Sequence, residues 1–219
     1  VDFAVHSMKD MPTDMPEGLC FGAVPEREDP RDALVGAALE DLPAGAIVGT
    51  GSARRAAQIA ALRPDLVIEG IRGNVDTRIQ KMRDGQYHTV VLALSGLKRL
   101  GRDREVARVL EPTAMIPAVG QGALALQCRE DDLRAQELLG HLNHDPTAAC
   151  VRAERAFLHA ISGGCSVPAA CYARFTDDDH LVLLAMYAPE GGELKRVEVK
   201  GAAVDGPELG RQAALAVMG

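Results

Sequence analysis

Residues 46–97, AIVGTGSARRAAQIAALRPDLVIEGIRGNVDTRIQKMRDGQYHTVVLALSGL, decide the fold. AIVGTGS (46–52) reads as a short strand running into a glycine turn. Ser52 is a candidate N-cap for the Ala-rich helix SARRAAQIAALRPDL, which stops near Pro64. LVIEGI (66–71) reads as a buried strand, and VDTRIQKMRDG (75–85) as a second helix ended by glycine. HTVVLALSGL (88–97) reads as a strand followed by a turn. Strand–helix–strand–helix–strand in about 50 residues is the pattern of a parallel α/β unit. Ligands of such units sit at the carboxyl ends of strands and the amino ends of helices.

Upstream, Val1, Phe3 and Val5 alternate with Asp2, Ala4 and His6 as a short strand. It runs into a loop, SMKDMPTDMPEG, broken by Pro12 and Pro16, and PEREDPRD (25–32) reads as a linker. The pattern changes after MIPAVGQGALALQCR (115–129). A helix is expected over 131–141, and Asp145-Pro146 starts another, TAACVRAERAFLHAI, ended by Gly163-Gly164. HLVLLAMYA (180–188) and ELKRVEVKG (193–201) alternate as strands around a PEGG turn, and a last helix covers 207–218. This last third reads as antiparallel α+β, with a domain boundary near 142–148.

The chain has 219 residues, 47% hydrophobic and 25% charged, which is ordinary for a globular protein and excludes disorder or a collagen-like repeat for the whole. No apolar stretch reaches the ~18 residues of a membrane span, and the start lacks the pattern of a signal peptide. Because the chain opens on Val1 in mid-pattern, a missing N-terminal segment is expected. A net charge of −7 argues against duplex nucleic acid as partner, and 3% aromatics without Trp argue against a base-stacking surface. Five Cys (20, 128, 150, 165, 171), an odd count without a CxxC pair, fit a reducing cytoplasm, each read first as a small buried hydrophobe.

Four features could carry chemistry. Arg54-Arg55 follow GTGS at a helix start, where two guanidiniums suit carboxylates or phosphates. A solvated helix start is the plainer reading, but cations oppose the dipole there, so an anionic ligand is a reason to keep them. Arg72, Arg78 and Arg99 recur at the carboxyl side of successive strands. Neither GxGxxG nor GxxxxGK[ST] occurs, which counts against dinucleotides and nucleoside triphosphates. Lys9-Asp10 in HSMKD lie just past a strand end, where a carboxylate among arginines can stabilise a developing cation or move protons, though a turn acid reads the same way. Cys165 in SGGCSVP falls on a loop after a helix, where a thiol is more accessible than Cys128 or Cys150 in their apolar surroundings; a bridge to Cys171 is disfavoured by the cytoplasmic reading. His141 and His144 lack partners at metal-ligand spacing, so no metal is expected.

Taken together, VDFAVHSMKDMPTDMPEGL, EREDPRDALV, GTGSARRAAQIAALRPDL, IRGNVDTRIQKMRDGQY, LALSGLKRLGR, MIPAVGQGALALQCR and ERAFLHAISGGCSVPAACYA resemble the hydroxymethylbilane synthase (porphobilinogen deaminase) family over nearly the whole chain. The resemblance implies two α/β domains like type II periplasmic binding proteins and a small α+β domain. Residues 1–25 and 119–141 would form part of the first, 28–116 the second and 146–219 the third. It implies a cytoplasmic, monomeric transferase of tetrapyrrole (haem) biosynthesis. Four porphobilinogen units are joined head to tail with loss of ammonia on a covalent dipyrromethane cofactor, and linear hydroxymethylbilane is then released by hydrolysis. Cys165 matches the thioether position and Asp10 the catalytic carboxylate. Ser7, Lys9, Thr50, Ser52, Arg54, Arg55, Arg72 and Gly73 match cofactor-binding positions. Arg72, Arg78, Arg99 and Gln121 match positions that meet substrate, whose pyrroles carry acetate and propionate. Loss of ammonia leaves a cationic azafulvene, which suits a nearby carboxylate. GTGSARR departs from the family's GTSSLRR at Gly51 and Ala53 but keeps Ser52 and both arginines.

The rival readings are a non-catalytic carboxylate-binding module and a fragment inactive for want of its N-terminal segment. A plain anion-binding module would use the arginines but has no need of Cys165 with Asp10.

Overall fold

The computed structural model describes residues 1–161, 168–176 and 179–219. In chain order the strands and helices begin β1 (Phe3–Ser7), β2 (Leu19–Ala23), β3 (Asp32–Val35), β4 (Ile47–Gly49), α1 (Ala53–Leu62), β5 (Val67–Glu69), α2 (Val75–Arg83), β6 (Thr89–Ala93) and α3 (Leu94–Arg99). They continue with β7 (Val106–Leu110), β8 (Leu124–Arg129), α4 (Leu133–Gly140), α5 (Asp145–Ala160), β9 (Ala169–Phe175), β10 (His180–Tyr187), β11 (Lys195–Ala202) and α6 (Gly206–Met218). The class is mixed α/β, with the strands in three sheets.

The central sheet has the order β5-β4-β6-β3-β7. β4 runs parallel to both β5 and β6, the parallel unit read from residues 46–97, while β3 is antiparallel to β6 and β7. Helices cover both faces. Val91 of β6 packs with Leu34, Val48 and Ile59 of α1 on one side. Val90 and Leu92 pack with Ala33, Val35 and Ile79 of α2 on the other, so β6 is apolar almost throughout. Helix starts follow the expected chemistry: the Ser52 side chain caps α1 by accepting from Arg55 N, and Asn74 Oδ1 caps α2 by accepting from Thr77 N at 2.8 Å.

Two local expectations are corrected. β5 is not a buried strand: it pairs only with β4 at the sheet edge, and Val67 is 44% exposed. Residues 94–99 form α3 rather than a turn.

A second sheet, β1-β8-β2, is antiparallel and joins the start of the chain to residues 124–129, with α4 against it. The third, β11-β10-β9, is antiparallel and carries α5 and α6 on one face, as the last third of the sequence predicts. Phe157, Leu181, Leu183, Ala213 and Val217 fill that core. α5 and α6 approach so closely at Gly210 that a Cβ there would overlap the Ala153 carbonyl oxygen. Gly210→Ala is therefore expected to destabilise the chain by ~1–3 kcal/mol. An unchanged urea midpoint would show that the helices can separate freely.

The chain crosses twice between the first two sheets, at 24–31 and at 111–123. The crossings run side by side: Glu28 N donates to Gly122 O at 3.2 Å, Arg27 Nε to Gln121 O at 2.8 Å and Gln121 Nε2 to Pro30 O at 2.7 Å. This pair of segments positions the site.

Candidate functional site

The site is built around an acid that sequence reasoning passed over. Asp32 heads β3, the fully buried run Asp32-Ala33-Leu34-Val35. Its carboxylate is wholly inaccessible and accepts from both members of the arginine pair at the start of α1. Arg54 Nη1 donates to Oδ2 at 2.8 Å; Arg55 Nη2 and Nε donate to Oδ1 at 2.7 and 3.1 Å. Gln121 Nε2 adds a further bond to Oδ1 at 2.8 Å. Burial alone would raise the Asp32 pKa, but the two guanidiniums outweigh it and hold the carboxyl far below its ordinary range. One carboxylate against two guanidiniums leaves the group cationic.

Arg54 and Arg55 are thus turned into the protein and not out from a solvated helix start. Arg55 also donates to Val91 O at 2.9 Å, and Arg54 Nη1 to Ile116 O at 2.5 Å. Burial pulls the Arg54 pKa below its ordinary value while Asp32 pulls it back. Arg54 keeps one edge unspent: its Nε is a buried side-chain nitrogen with no hydrogen-bond partner. An unpaired buried N–H of a charged group is costly unless something accepts from it.

Lys9 and Asp10 arrive from the end of β1, in the antiparallel sheet β1-β8-β2. They end a short 3-10 turn after β1, held by Met8, which is buried and whose N donates to Ala123 O at 3.0 Å. A Cβ at Gly120 would overlap Met8, and φ there is +70°, so glycine is required for this approach. Burial lowers the Lys9 pKa, and Arg55 lowers it further; Asp10 and Asp32 oppose, and Arg54 adds to the lowering. Lys9, Asp10, Asp32 and both arginines therefore share one electrostatic neighbourhood. Asp10 itself is exposed.

Arg78, in the first turn of α2, joins this neighbourhood: burial and then Arg55 lower its pKa. Its Nε donates to Gly73 O at 2.8 Å, and Gly73 has φ +121°. Arg72 is exposed beside it. Arg99, at the end of α3, donates to Gly122 O at 3.3 Å, which brings it to the second crossing. Thr50 is buried and its Oγ1 accepts from Ser52 N at 3.2 Å, while Ser7 lies half-buried at the end of β1. Gln121 is buried with both Nε2 hydrogens spent, on Pro30 O and Asp32 Oδ1.

Cys165 lies outside the described residues. The remaining cysteines, 20, 128, 150 and 171, carry free thiols. Cys171 is fully buried, and burial, then the Glu154 charge, pushes its thiol pKa well up. His144 serves as the N-cap of α5, its Nδ1 accepting from Thr147 N at 3.3 Å. Among the described residues no cluster of His, Cys, Asp and Glu could hold a metal.

A second buried pair was also missed. Glu154 of α5 is fully buried and takes a fork from Arg27, Nη1 to Oε1 at 2.6 Å and Nη2 to Oε2 at 3.2 Å. Gly120 N and Ala173 N also donate to it, at 2.7 and 2.8 Å. It ties the two crossings to the third sheet. A signal was present: Cys150, Glu154, Phe157 and Ile161 fall on one helix face, so a charge sits in an apolar stripe. For Asp32 the signal was weaker, an acid leading a four-residue run otherwise apolar.

Comparison with known proteins gives two family models. "Porphobilinogen deaminase, dipyromethane cofactor binding domain" matches residues 1–137, and "Porphobilinogen deaminase, C-terminal domain" matches residues 148–218. Proteins called porphobilinogen deaminase from Bacillus cereus (strain AH187), Bacillus thuringiensis (strain Al Hakam) and Bacillus anthracis (strain CDC 684 / NRRL 3495) are each 48% identical over 98% of this chain and 70% of theirs. A solved structure, of YhfZ from Shigella flexneri, aligns with a TM-score of 0.30 at 16% identity over 68% of this chain and 69% of that one, too remote to carry an argument.

Proposed function

The chain belongs to the porphobilinogen deaminase family, and from that premise we propose which of its residues do the family's work. Its reaction is that of hydroxymethylbilane synthase, a transferase of tetrapyrrole and haem biosynthesis. Four porphobilinogen units are condensed head to tail with release of ammonia on a dipyrromethane cofactor, and linear hydroxymethylbilane is released by hydrolysis.

The observation that carries the residue roles is the unspent, buried Nε edge of Arg54 in a cationic group beside Asp10. That donor set fits a ligand bearing acetate and propionate carboxylates, because Nε and Nη2 of one guanidinium form a fork matched to a carboxylate. Arg54 takes one carboxylate of the dipyrromethane on that edge. Arg55, largely spent on Asp32 and Val91, supplies field more than contacts. Lys9, Ser52, Thr50, Ser7, Arg72 and Gly73 complete the cofactor's surroundings, and Arg72, Arg78 and Arg99 receive the carboxylates of incoming substrate. Gln121 acts from behind, through Asp32, since its amide nitrogen has no hydrogen left for substrate.

When bound, the dipyrromethane supplies the anchored pyrrole to which units are added. Asp10 faces the charge that develops as ammonia leaves porphobilinogen: its carboxylate stabilises the cationic azafulvene and takes up the proton that the coupled pyrrole must later lose. The arginines hold the acidic substituents so that this carboxylate meets ring nitrogens and not the substrate's own anions. The net charge of −7 does not oppose an anionic substrate, because the local field around Arg54 and Arg55 governs encounter.

The three sheets support a division into a first unit of residues 1–25 and 119–141, a second of 28–116 and a third of 146–219. The first two are of the type II periplasmic-binding-protein kind. The mixed sheet with β3 antiparallel among parallel strands agrees with that reading. The chain acts as a cytoplasmic monomer without nucleic acid; the odd cysteine count without a CxxC pair supports the compartment, and the acidic balance supports the absence of nucleic acid. No helix among the described residues is long and apolar enough to cross a membrane.

The test is the intact mass of the purified chain with a peptide map over residues 162–175. The expected result is an added dipyrromethane mass on Cys165. An adduct on another thiol, or none at all, would overturn the attachment site.

A further inference from the structure

Asp32 touches nothing that reacts, yet every contact it makes bears on the groups that do. We propose that Asp32 is a positioning residue: its Oδ2 clamps Arg54 so that the Nε–Nη2 edge faces the carboxylate of the bound dipyrromethane. The inference rests on the role given above to Arg54.

The geometry separates the two arginines. Arg55 gives Oδ1 a two-pronged contact, at 3.1 and 2.7 Å from Nε and Nη2, which is the closed arrangement of a structural ion pair. Arg54 meets Oδ2 through Nη1 alone, at 2.8 Å, and the same nitrogen reaches Ile116 O. Both bonds fall on one nitrogen at one end of the guanidinium. Among the described residues the opposite edge makes no hydrogen bond, although its Nε is buried. A guanidinium pinned at one end has little rotational freedom left, so the open edge is held in one direction before the ligand arrives.

Asp32 is itself fixed from outside the sheet. Gln121, on the second crossing, donates to Oδ1 at 2.8 Å and to Pro30 O at 2.7 Å, two residues before Asp32. The direction of the Arg54 edge is therefore set by both crossings between the first two sheets, not by α1 alone. A neutral amide at position 32 would keep the size but lose the charge that opposes two guanidiniums, and its own N–H groups would face donors.

The experiment measures cofactor acquisition in place of turnover. The full chain is prepared without cofactor and incubated with porphobilinogen, and the loaded fraction is read by intact mass as substrate concentration rises. Asp32→Asn is expected to raise the half-loading concentration by at least ~10-fold, as loss of a group that orients a ligand-binding side chain commonly does. Asp32→Glu, which keeps the charge, should recover part of that loss. Arg54→Gln tests the underlying reading. If Arg54→Gln loads at the wild-type concentration, the role of Arg54 fails and the inference with it. If Arg54→Gln is impaired while folded Asp32→Asn loads normally, the inference alone is refuted. Should Asp32→Asn not fold, the same comparison is made in an Arg55→Gln background, where one positive and one negative charge are removed together. There too, wild-type-like loading relative to Arg55→Gln alone would overturn the positioning role.

Discussion

Asp10→Asn is expected to lower turnover by ~10²–10⁴-fold, the range for a carboxylate that both moves a proton and faces developing charge. The chain should still fold and still acquire its cofactor. Asp10 is exposed at the end of the short turn after β1, so its amide replacement leaves no buried group unpaired. The turn is fixed by Met8 against Ala123 and Gly120, contacts that do not involve the Asp10 side chain. What changes is the sign of the field. Lys9, Arg54 and Arg55 share one neighbourhood with Asp10, and Arg78 joins it through Arg55. Without Asp10 a cation formed by loss of ammonia would face a surface dominated by positive charge, which raises the barrier. Ammonia release in a single turnover, alongside intact mass for cofactor content, separates the two effects. Near-normal release with full cofactor would remove Asp10 from the chemistry. Loss of both together with a lowered melting temperature would mean that the turn is structural.

The sequence made some of this legible and hid the rest for physical reasons. The α/β pattern of residues 46–97 was readable because caps and apolar periodicity are local: Ser52 caps its helix, and β6 is apolar on both faces. That β5 lies at an edge was not readable, since exposure of a strand depends on sheet order, which no local window contains. The arginine pair was readable by residue type and place. Its inward orientation was not, because Asp32 lies 22 residues from Arg54 in sequence, Gln121 lies 89 from the Asp32 it fixes, and the arginines reach Asp32 only when β3 is inserted between β6 and β7. Asp10 was singled out by its motif, whereas its cationic surroundings appear only once β1 and α1 are brought together.

Glu154→Ala is expected to destabilise the chain by ~3–5 kcal/mol, the cost of stranding a buried charge. Both carboxylate oxygens are spent: Oε1 accepts from Arg27 Nη1 and Ala173 N, and Oε2 from Arg27 Nη2 and Gly120 N. Removing them leaves the Arg27 guanidinium inside the protein with Gln121 O and the face of Tyr172, 5.2 Å from the ring centre, as its company. Burial alone would lower the Arg27 pKa, and it is Glu154 that turns the balance upward, so the ion pair depends on this one partner. For a chain of this length the loss corresponds to a melting temperature lower by about 10 °C. Arg27→Met combined with Glu154→Met should cost less than Glu154→Ala alone, because no charge is stranded. It should still cost something, because Gly120 N and Ala173 N lose their acceptor. That ordering distinguishes an ion pair retained for stability from one retained to fix the crossings. If the double variant melts near wild type yet loads cofactor poorly, Glu154 serves geometry: it holds the Gly120–Gly122 turn, and through Gln121 the direction of Asp32. A melting temperature for Glu154→Ala within about 2 °C of wild type would show that Arg27 finds another partner.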